Sequence, residues 1–307
     1  MKQKTILLTF FLVALLLTAC SPSQESEANT GTETLPSSAQ KATSTQTATS
    51  PPRSTASPTP DRALLATQTA AACLKKGGEI EEQELLSEIL PNELAFRIYT
   101  PPCYLQQQSQ NYPTLYLIHG QSFTEDQWDR LGVDETADAL ISSADLPPFI
   151  IVMPFDRSSQ QPSIDLFGQA VLEELLPWVD QHYRTIPERE FRAVGGLSRG
   201  ASWAIHFAFL HPELFGSVGG HSPPVFVEDA PYIRQWLDNI PADLMPRIWL
   251  DIGARDQQVI LESAKWFAAI LDELNIPHEW HLFTGNHDEA YWSSHMEIYL
   301  QWYTQPW

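Results

Sequence analysis

The sequence predicts an α/β domain with a mostly parallel, twisted sheet and helices on both faces. Three observations predict it. Short apolar runs alternate with stretches whose apolar residues recur every three or four positions. A Gly-x-Ser-x-Gly pentapeptide joins one such run to one such stretch. Acidic and basic candidates follow later runs at their carboxyl ends, where open α/β sheets hold their ligands.

The elements can be justified in chain order. Leu94-Ala95-Phe96-Arg97-Ile98-Tyr99 alternates as a strand does, and Pro101-Pro102 stops it. Thr114–Ile118 is an apolar run ending at His119-Gly120, and Phe149–Met153 is closed by Pro154. Phe191–Gly196 and the weaker Phe215–Gly220 follow, then Arg247–Ile252 and His278–Phe283. Continuous apolar runs suit strands buried on both faces, and right-handed crossovers connect such strands. Between them, Val171, Leu172, Leu175, Leu176 and Val179 have helical spacing, as do Ile260, Ala264, Phe267, Ile270, Leu271 and Leu274. Ala201–Leu210 reads as a helix, and Glu289–Tyr303 as one final helix packed on the sheet.

The first 72 residues have a different character. Residues 1–19 read as an export signal: Lys2 and Lys4, then an apolar run from Ile6 to Leu17. A run of about a dozen residues is too short to span a bilayer comfortably. Leu17-Thr18-Ala19-Cys20 resembles the bacterial lipoprotein signal, in which Cys20 becomes the first mature residue and carries lipid. The alternative is an ordinary cleaved signal with an incidental cysteine. Residues 20–72 are rich in Ser, Thr, Ala, Pro and Gln and lack aromatic residues, so they read as a disordered tether. Fifty such residues reach roughly 40 Å as a coil. Residues 73–307 form the expected catalytic domain. The expected location is the exported face of a bacterial membrane.

The chain has 307 residues and a formal net charge of −20. An acidic surface repels phosphate backbones, which argues against nucleic acid as a partner. Of three cysteines, Cys73 and Cys103 remain once Cys20 is set aside. In an oxidising compartment they are either bridged or two buried thiols. Neither sits in a Cys/His cluster, so no metal is expected, and no cofactor is called for.

The chemistry centres on Gly196-Leu197-Ser198-Arg199-Gly200. Strand, sharp turn and helix is the setting of a nucleophile elbow, which exposes a serine hydroxyl at a helix N-terminus in the α/β-hydrolase fold. A serine hydroxyl needs a base, and histidine is suited because its ordinary pKa lies near neutrality. His287 lies four residues past the strand ending at Phe283, and Asp256 four past the strand ending at Ile252. The order Ser198, Asp256, His287 is that of an α/β-hydrolase triad. Asp251 competes for the acid role, but it falls inside a strand, which suits a structural carboxylate. The backbone amides of Arg199 and Gln121 are the candidate oxyanion donors. His119 reads as a hydrogen-bonded strand-end residue. His182, His206 and His211 read as structural. Trp128, His221, Ser222 and Trp292 are candidate pocket residues. The Arg199 side chain either meets an acidic substrate or is solvated.

These residues resemble the esterase D-like esterase family, which includes feruloyl esterases, enterochelin esterases and mycolyltransferases. The resemblance spans about Gly78 to Trp302. It rests on Tyr99–Tyr104, Tyr112–Gly120, Gly195–Gly200, Asp256 after Gly253, and Gly285–Trp292. It implies an α/β-hydrolase fold, with Ser198, Asp256 and His287 at the triad positions and Gln121 and Arg199 at the oxyanion positions. The family often has glycine where Cys103 stands, a departure that fits a local disulfide. The expectation is a serine hydrolase cleaving carboxylic esters, small or glycan-linked, through an acyl-enzyme. The alternatives are an acyltransferase on the same triad and a non-catalytic surface-binding lipoprotein.

Overall fold

The computed structural model describes residues 72–307; the expected signal, Cys20 and all but the last residue of the tether lie outside the described residues. An eight-stranded sheet runs in the order β1-β2-β4-β3-β5-β6-β7-β8. The strands are β1 Glu79–Leu85, β2 Leu94–Thr100, β3 Thr114–Ile118, β4 Ile150–Pro154, β5 Arg192–Leu197, β6 Ser217–His221, β7 Arg247–Gly253 and β8 Glu279–Phe283. From β4 across to β8 every pairing is parallel, and β2 pairs antiparallel with both β1 and β4. This is the α/β-hydrolase architecture.

Strand side chains alternate between two cores. Tyr116 and Ile118 of β3 enter one, with Val152 of β4 and Val194 of β5; Leu115 and Leu117 enter the other, with Ile151, Met153, Ala193 and Leu197. The first core is covered by the helical stretch Phe167–His182 and by helices at Arg199–Leu210, Ile233–Asn239 and Gln258–Glu273. The second is covered by helices at Gln127–Arg130, Val133–Ser142, Glu289–Ser294 and Met296–Thr304. Helices on both faces bury β3, β4, β5 and β6 completely, which explains why none of these strands alternates polar with apolar residues as a one-sided strand does.

Two elements differ from expectation. Strand β1 carries Glu79, Glu81, Glu82 and Glu84, a composition with no strand signal. It sits at the sheet edge and is held by seven paired positions along β2 rather than by burial. Charges there also oppose strand addition by another chain. The final helix is two helices, broken at His295. Eight residues on a straight helix lie about 12 Å apart along its axis. Here the hydroxyls of Tyr291 and Tyr299, one on each helix, meet at one Asp251 oxygen, at 2.6 and 2.8 Å.

Cys73 and Cys103 form a disulfide across 30 residues. Cys103 has φ 67, in the left-handed region that favours glycine, so the bridge occupies a backbone position suited to a residue without Cβ. Among the described residues no helix is long and apolar enough to cross a membrane.

Candidate active site

Ser198 terminates β5 and opens the helix Arg199–Leu210. Its φ and ψ are 52° and −122°, the strained conformation that a strand-to-helix elbow imposes. Two glycines make the turn possible. A Cβ on Gly196 would lie 2.2 Å from the Gly200 backbone, and one on Gly200 would lie 2.0 Å from the Ile118 carbonyl. The Ser198 N–H donates to the His221 carbonyl at 2.8 Å, fixing the elbow to β6.

His287 and Asp256 converge on this serine from turns after β8 and β7. His287 Nε2 stands 2.9 Å from Ser198 Oγ. His287 Nδ1 lies 2.9 Å from Asp256 Oδ1 and 3.1 Å from Oδ2. The Gln257 N–H donates to the same carboxylate at 2.6 Å. The two turns are tied by backbone bonds from Ala254 N–H to Phe283 C=O at 2.7 Å and Arg255 N–H to Gly285 C=O at 2.9 Å. Three side chains far apart in sequence thus form one relay from carboxylate to imidazole to hydroxyl. Such an arrangement can activate a hydroxyl for attack on a carbonyl.

Gly120 and Gln121 line the same cavity as Ser198 and His287, about 780 Å³ in volume, with Phe123, Gln257, Ile260 and Trp292 among its walls. Arg199 is the first helical residue, so its amide has no intrahelical acceptor. The Gly120–Gln121 turn is braced from below. Gln127, fully buried, accepts from the Gly120 N–H at 2.8 Å and donates to Glu289 at 3.2 Å. His119 Nδ1 meets the Gly120 carbonyl at 2.7 Å, and its Nε2 accepts from the Asp156 N–H at 2.9 Å. Burial lowers the His119 pKa, consistent with a neutral ring that both donates and accepts.

The remaining pocket candidates separate. Trp292 lines the cavity and stands edge-on to His287 at 5.0 Å. Trp128, His221 and Ser222, expected at the pocket, are instead interior residues. Trp128 is packed in the second core and donates from Nε1 to the Ile118 carbonyl at 3.0 Å. His221 is enclosed between Asp251, at 2.6 Å, and the Tyr303 hydroxyl, at 3.0 Å. Ser222 is fully buried, and its N–H donates to the Asp251 carbonyl at 2.7 Å. A strand-end position does not separate a rim residue from one covered by the next layer, and here the final two helices cover β6.

The Arg199 side chain is neither solvated nor open to a ligand. It is buried, with Nε 2.8 Å from Asp156 and Nη2 2.8 Å from Asp165 and 2.7 Å from the Gln160 carbonyl. Burial and then the Asp156 charge push the Asp165 pKa up, and Arg199 opposes them. Asp156 also accepts from Trp203 Nε1 at 2.9 Å. Asp156 has a legible signal, two residues past β4 at the carboxyl rim; Asp165 and Gln127 have none.

The "Putative esterase" family matches residues 87–303. The chain belongs to this esterase family. Among relatives, an endo-1,4-β-xylanase/feruloyl esterase of Xylanibacter ruminicola is 28% identical over 153 residues, covering 46% of this chain and 21% of that one. An esterase of Mycobacterium tuberculosis is 34% identical over 126 residues, covering 38% of this chain and 26% of that one. The chain thus spans roughly a quarter of the length of these curated relatives. A solved ferulic acid esterase superposes with a TM-score of 0.67 at 22% identity, over 75% of this chain and 99% of that one. At that identity the likeness shows the fold. Strands β2 to β8 of this esterase family member, with Ser198, Asp256 and His287, lie inside the matched segment, and the edge strand β1 lies before it.

Proposed function

We propose that this protein is a serine esterase that hydrolyses carboxylic esters through an acyl-enzyme. The observation that carries the reading is the 2.9 Å contact of His287 Nε2 with Ser198 Oγ, with Asp256 directly behind the imidazole. Ser198 Oγ attacks the ester carbonyl while His287 takes its proton. The amides of Gln121 and Arg199 donate to the oxyanion that develops. Collapse of the tetrahedral intermediate expels the alcohol, which receives the proton from His287. Water, activated by the same imidazole, then releases the acid and restores Ser198. Asp256 orients the imidazole and stabilises its charged form throughout.

The family match and the names of its relatives support an ester substrate. Feruloyl esterase in the name of one relative makes hydroxycinnamoyl esters the first acyl group to try, and the aromatic walls at Phe123 and Trp292 are compatible with it. The decisive experiment is labelling by a fluorophosphonate probe, followed by turnover of acetyl, feruloyl and longer acyl esters. Labelling of wild type and loss of both labelling and turnover in Ser198→Ala are expected. An unlabelled wild-type protein fits a non-catalytic surface lipoprotein instead. Added acceptor alcohols distinguish hydrolysis from acyl transfer.

The same reading holds that the enzyme is exported, lipidated at Cys20, and held off a bacterial membrane by the 20–72 tether. Its support is the Leu17-Thr18-Ala19-Cys20 motif directly after the apolar run. Metabolic labelling with palmitate checks it, with Cys20→Ser expected to lose the label.

A further inference from the structure

Behind the triad lies a second polar cluster that the proposed reaction does not use. Asp251 is completely buried, yet its carboxylate has four partners. His221 Nδ1, at 2.6 Å, and Trp249 Nε1, at 2.8 Å, meet Oδ1. The hydroxyls of Tyr291, at 2.6 Å, and Tyr299, at 2.8 Å, donate to Oδ2. Burial pushes the Asp251 pKa up, but the His221 charge and these hydrogen bonds outweigh it and hold it below the usual carboxylate value. Burial and the neighbouring Asp251 charge raise the pKa of Tyr291, so its hydroxyl stays a donor.

Of the four partners, Tyr291 alone stands in the first turn of the helix that follows directly on the His287 turn. It touches that turn on both sides of the imidazole. On the far side, its N–H donates to the capping Asp288 carboxylate at 2.9 Å. On the near side, its ring lies against Gly285, where an added Cβ would stand 2.3 Å from the ring. The segment Gly285–Tyr291 is therefore a short arch, and the Tyr291 hydroxyl is the point at which the arch is fixed to the sheet. The anchor, Asp251, sits on β7, the strand that continues into Asp256.

We infer that Tyr291 is a positioning residue for the catalytic base: its hydrogen bond to buried Asp251 sets where His287 stands relative to Ser198 and Asp256. This rests on the triad reading above. A base displaced by about 1 Å can lose of order a hundredfold in rate without weakening substrate binding. The bond should therefore appear in kcat rather than KM.

The cluster contains its own control. Tyr299 donates an equivalent bond to the same Asp251 oxygen, but from the last helix, which bears no triad residue. Tyr291→Phe and Tyr299→Phe each remove one buried hydroxyl and leave the ring. Both should lower Tm by similar amounts. Only Tyr291→Phe should lower kcat on a p-nitrophenyl ester and the rate of fluorophosphonate labelling at Ser198, by about tenfold or more with KM unchanged. Tyr299→Phe should stay within about twofold of wild type in both rates. Equal rates for the two variants, whether both normal or both impaired, overturn the inference. Should Tyr291→Phe not be recovered folded, Gly285→Ala displaces the Tyr291 ring from the same arch, and an unchanged kcat there overturns it as well. Failure of the esterase reading is distinguishable, because wild type itself would then not label; that result removes the inference along with its premise.

Discussion

Two aspartate–histidine pairs stand at the carboxyl ends of neighbouring strands, and their surroundings differ. In Asp256–His287 the nitrogens of the ring face a carboxylate on one side and Ser198 Oγ on the other, and the imidazole reaches the cavity. In Asp251–His221 the carboxylate contact is shorter, at 2.6 Å, but the second nitrogen meets the Tyr303 hydroxyl in the interior. A histidine beside an aspartate is therefore not in itself a base. What decides its role is whether the remaining nitrogen meets a reactive hydroxyl at an open site or a structural one under a covering layer. The helices Glu289–Ser294 and Met296–Thr304 form that layer over the second pair, with Tyr291, Tyr299 and Tyr303 bonded to it.

The contrast can be broken most directly at its ends. Ser198→Ala should lower ester turnover by about 10⁴-fold or more, measured as kcat/KM, while changing stability by about 1 kcal/mol at most. Asp256→Asn should follow, with a loss of about 10³- to 10⁴-fold in kcat and little change in Tm, because a neutral side chain favours the wrong tautomer of His287. Asp251→Asn should invert that pattern. Removing the charge from a wholly buried, four-partnered carboxylate should cost about 3–5 kcal/mol in denaturant unfolding, with a smaller loss of turnover. A variant of Asp251 that lost turnover as Asp256→Asn does, at unchanged stability, would exchange the roles of the two pairs.

Stability against pH sharpens the same comparison, because a third carboxylate is half-buried without a histidine. Asp134 has its pKa pushed up to about 7, first by burial and then by Glu135 beside it. Its folded-state pKa exceeds the unfolded value near 4, so the native protein holds this proton more tightly. The associated stability is present below pH about 4 and is lost as pH rises through about 7. Asp134→Asn should thus raise Tm more at pH 8 than at pH 5. Asp251 has the opposite sign: its depressed pKa stabilises the fold above the unfolded pKa, and that contribution is lost as pH falls through the folded value. The deficit of Asp251→Asn should therefore shrink in acid. The smallest expected effect lies far from either pair. Reduction of Cys73–Cys103 should cost about 2–4 kcal/mol while leaving kcat within about twofold, as judged by activity below Tm.

Most of the architecture was legible because burial on both sheet faces leaves a strong signal. The central strands β3 to β7 read as apolar runs, and the ends of β5, β7 and β8 located Ser198, Asp256 and His287. Strand β1 was not legible, since an edge strand is held by backbone bonds and its side chains are free to be charged. Within the site, the rim position of Asp156 was legible, but its pairing with Arg199 and the part of Asp165 were not, because nothing local marks a surface-type residue that another loop will cover. His221 and Ser222 misled for the same reason: being at a strand end is a local fact, whereas being covered is not.

By itself the sequence determined where the chain must turn sharply and which chemistry each turn carries. Glycines at 196 and 200, a serine between them, and an acid and a histidine after later strands are encoded locally, in steric and polar demands within a few residues. Only the tertiary structure decided which aspartate faces which histidine, and which of the two imidazoles stands open to a hydroxyl. That choice depends on contacts between segments as far apart as Ser198 and His287, and on the helices laid over β6 and β7. Solvent exclusion is a property of the packed layers, so no residue carries it in its own neighbourhood.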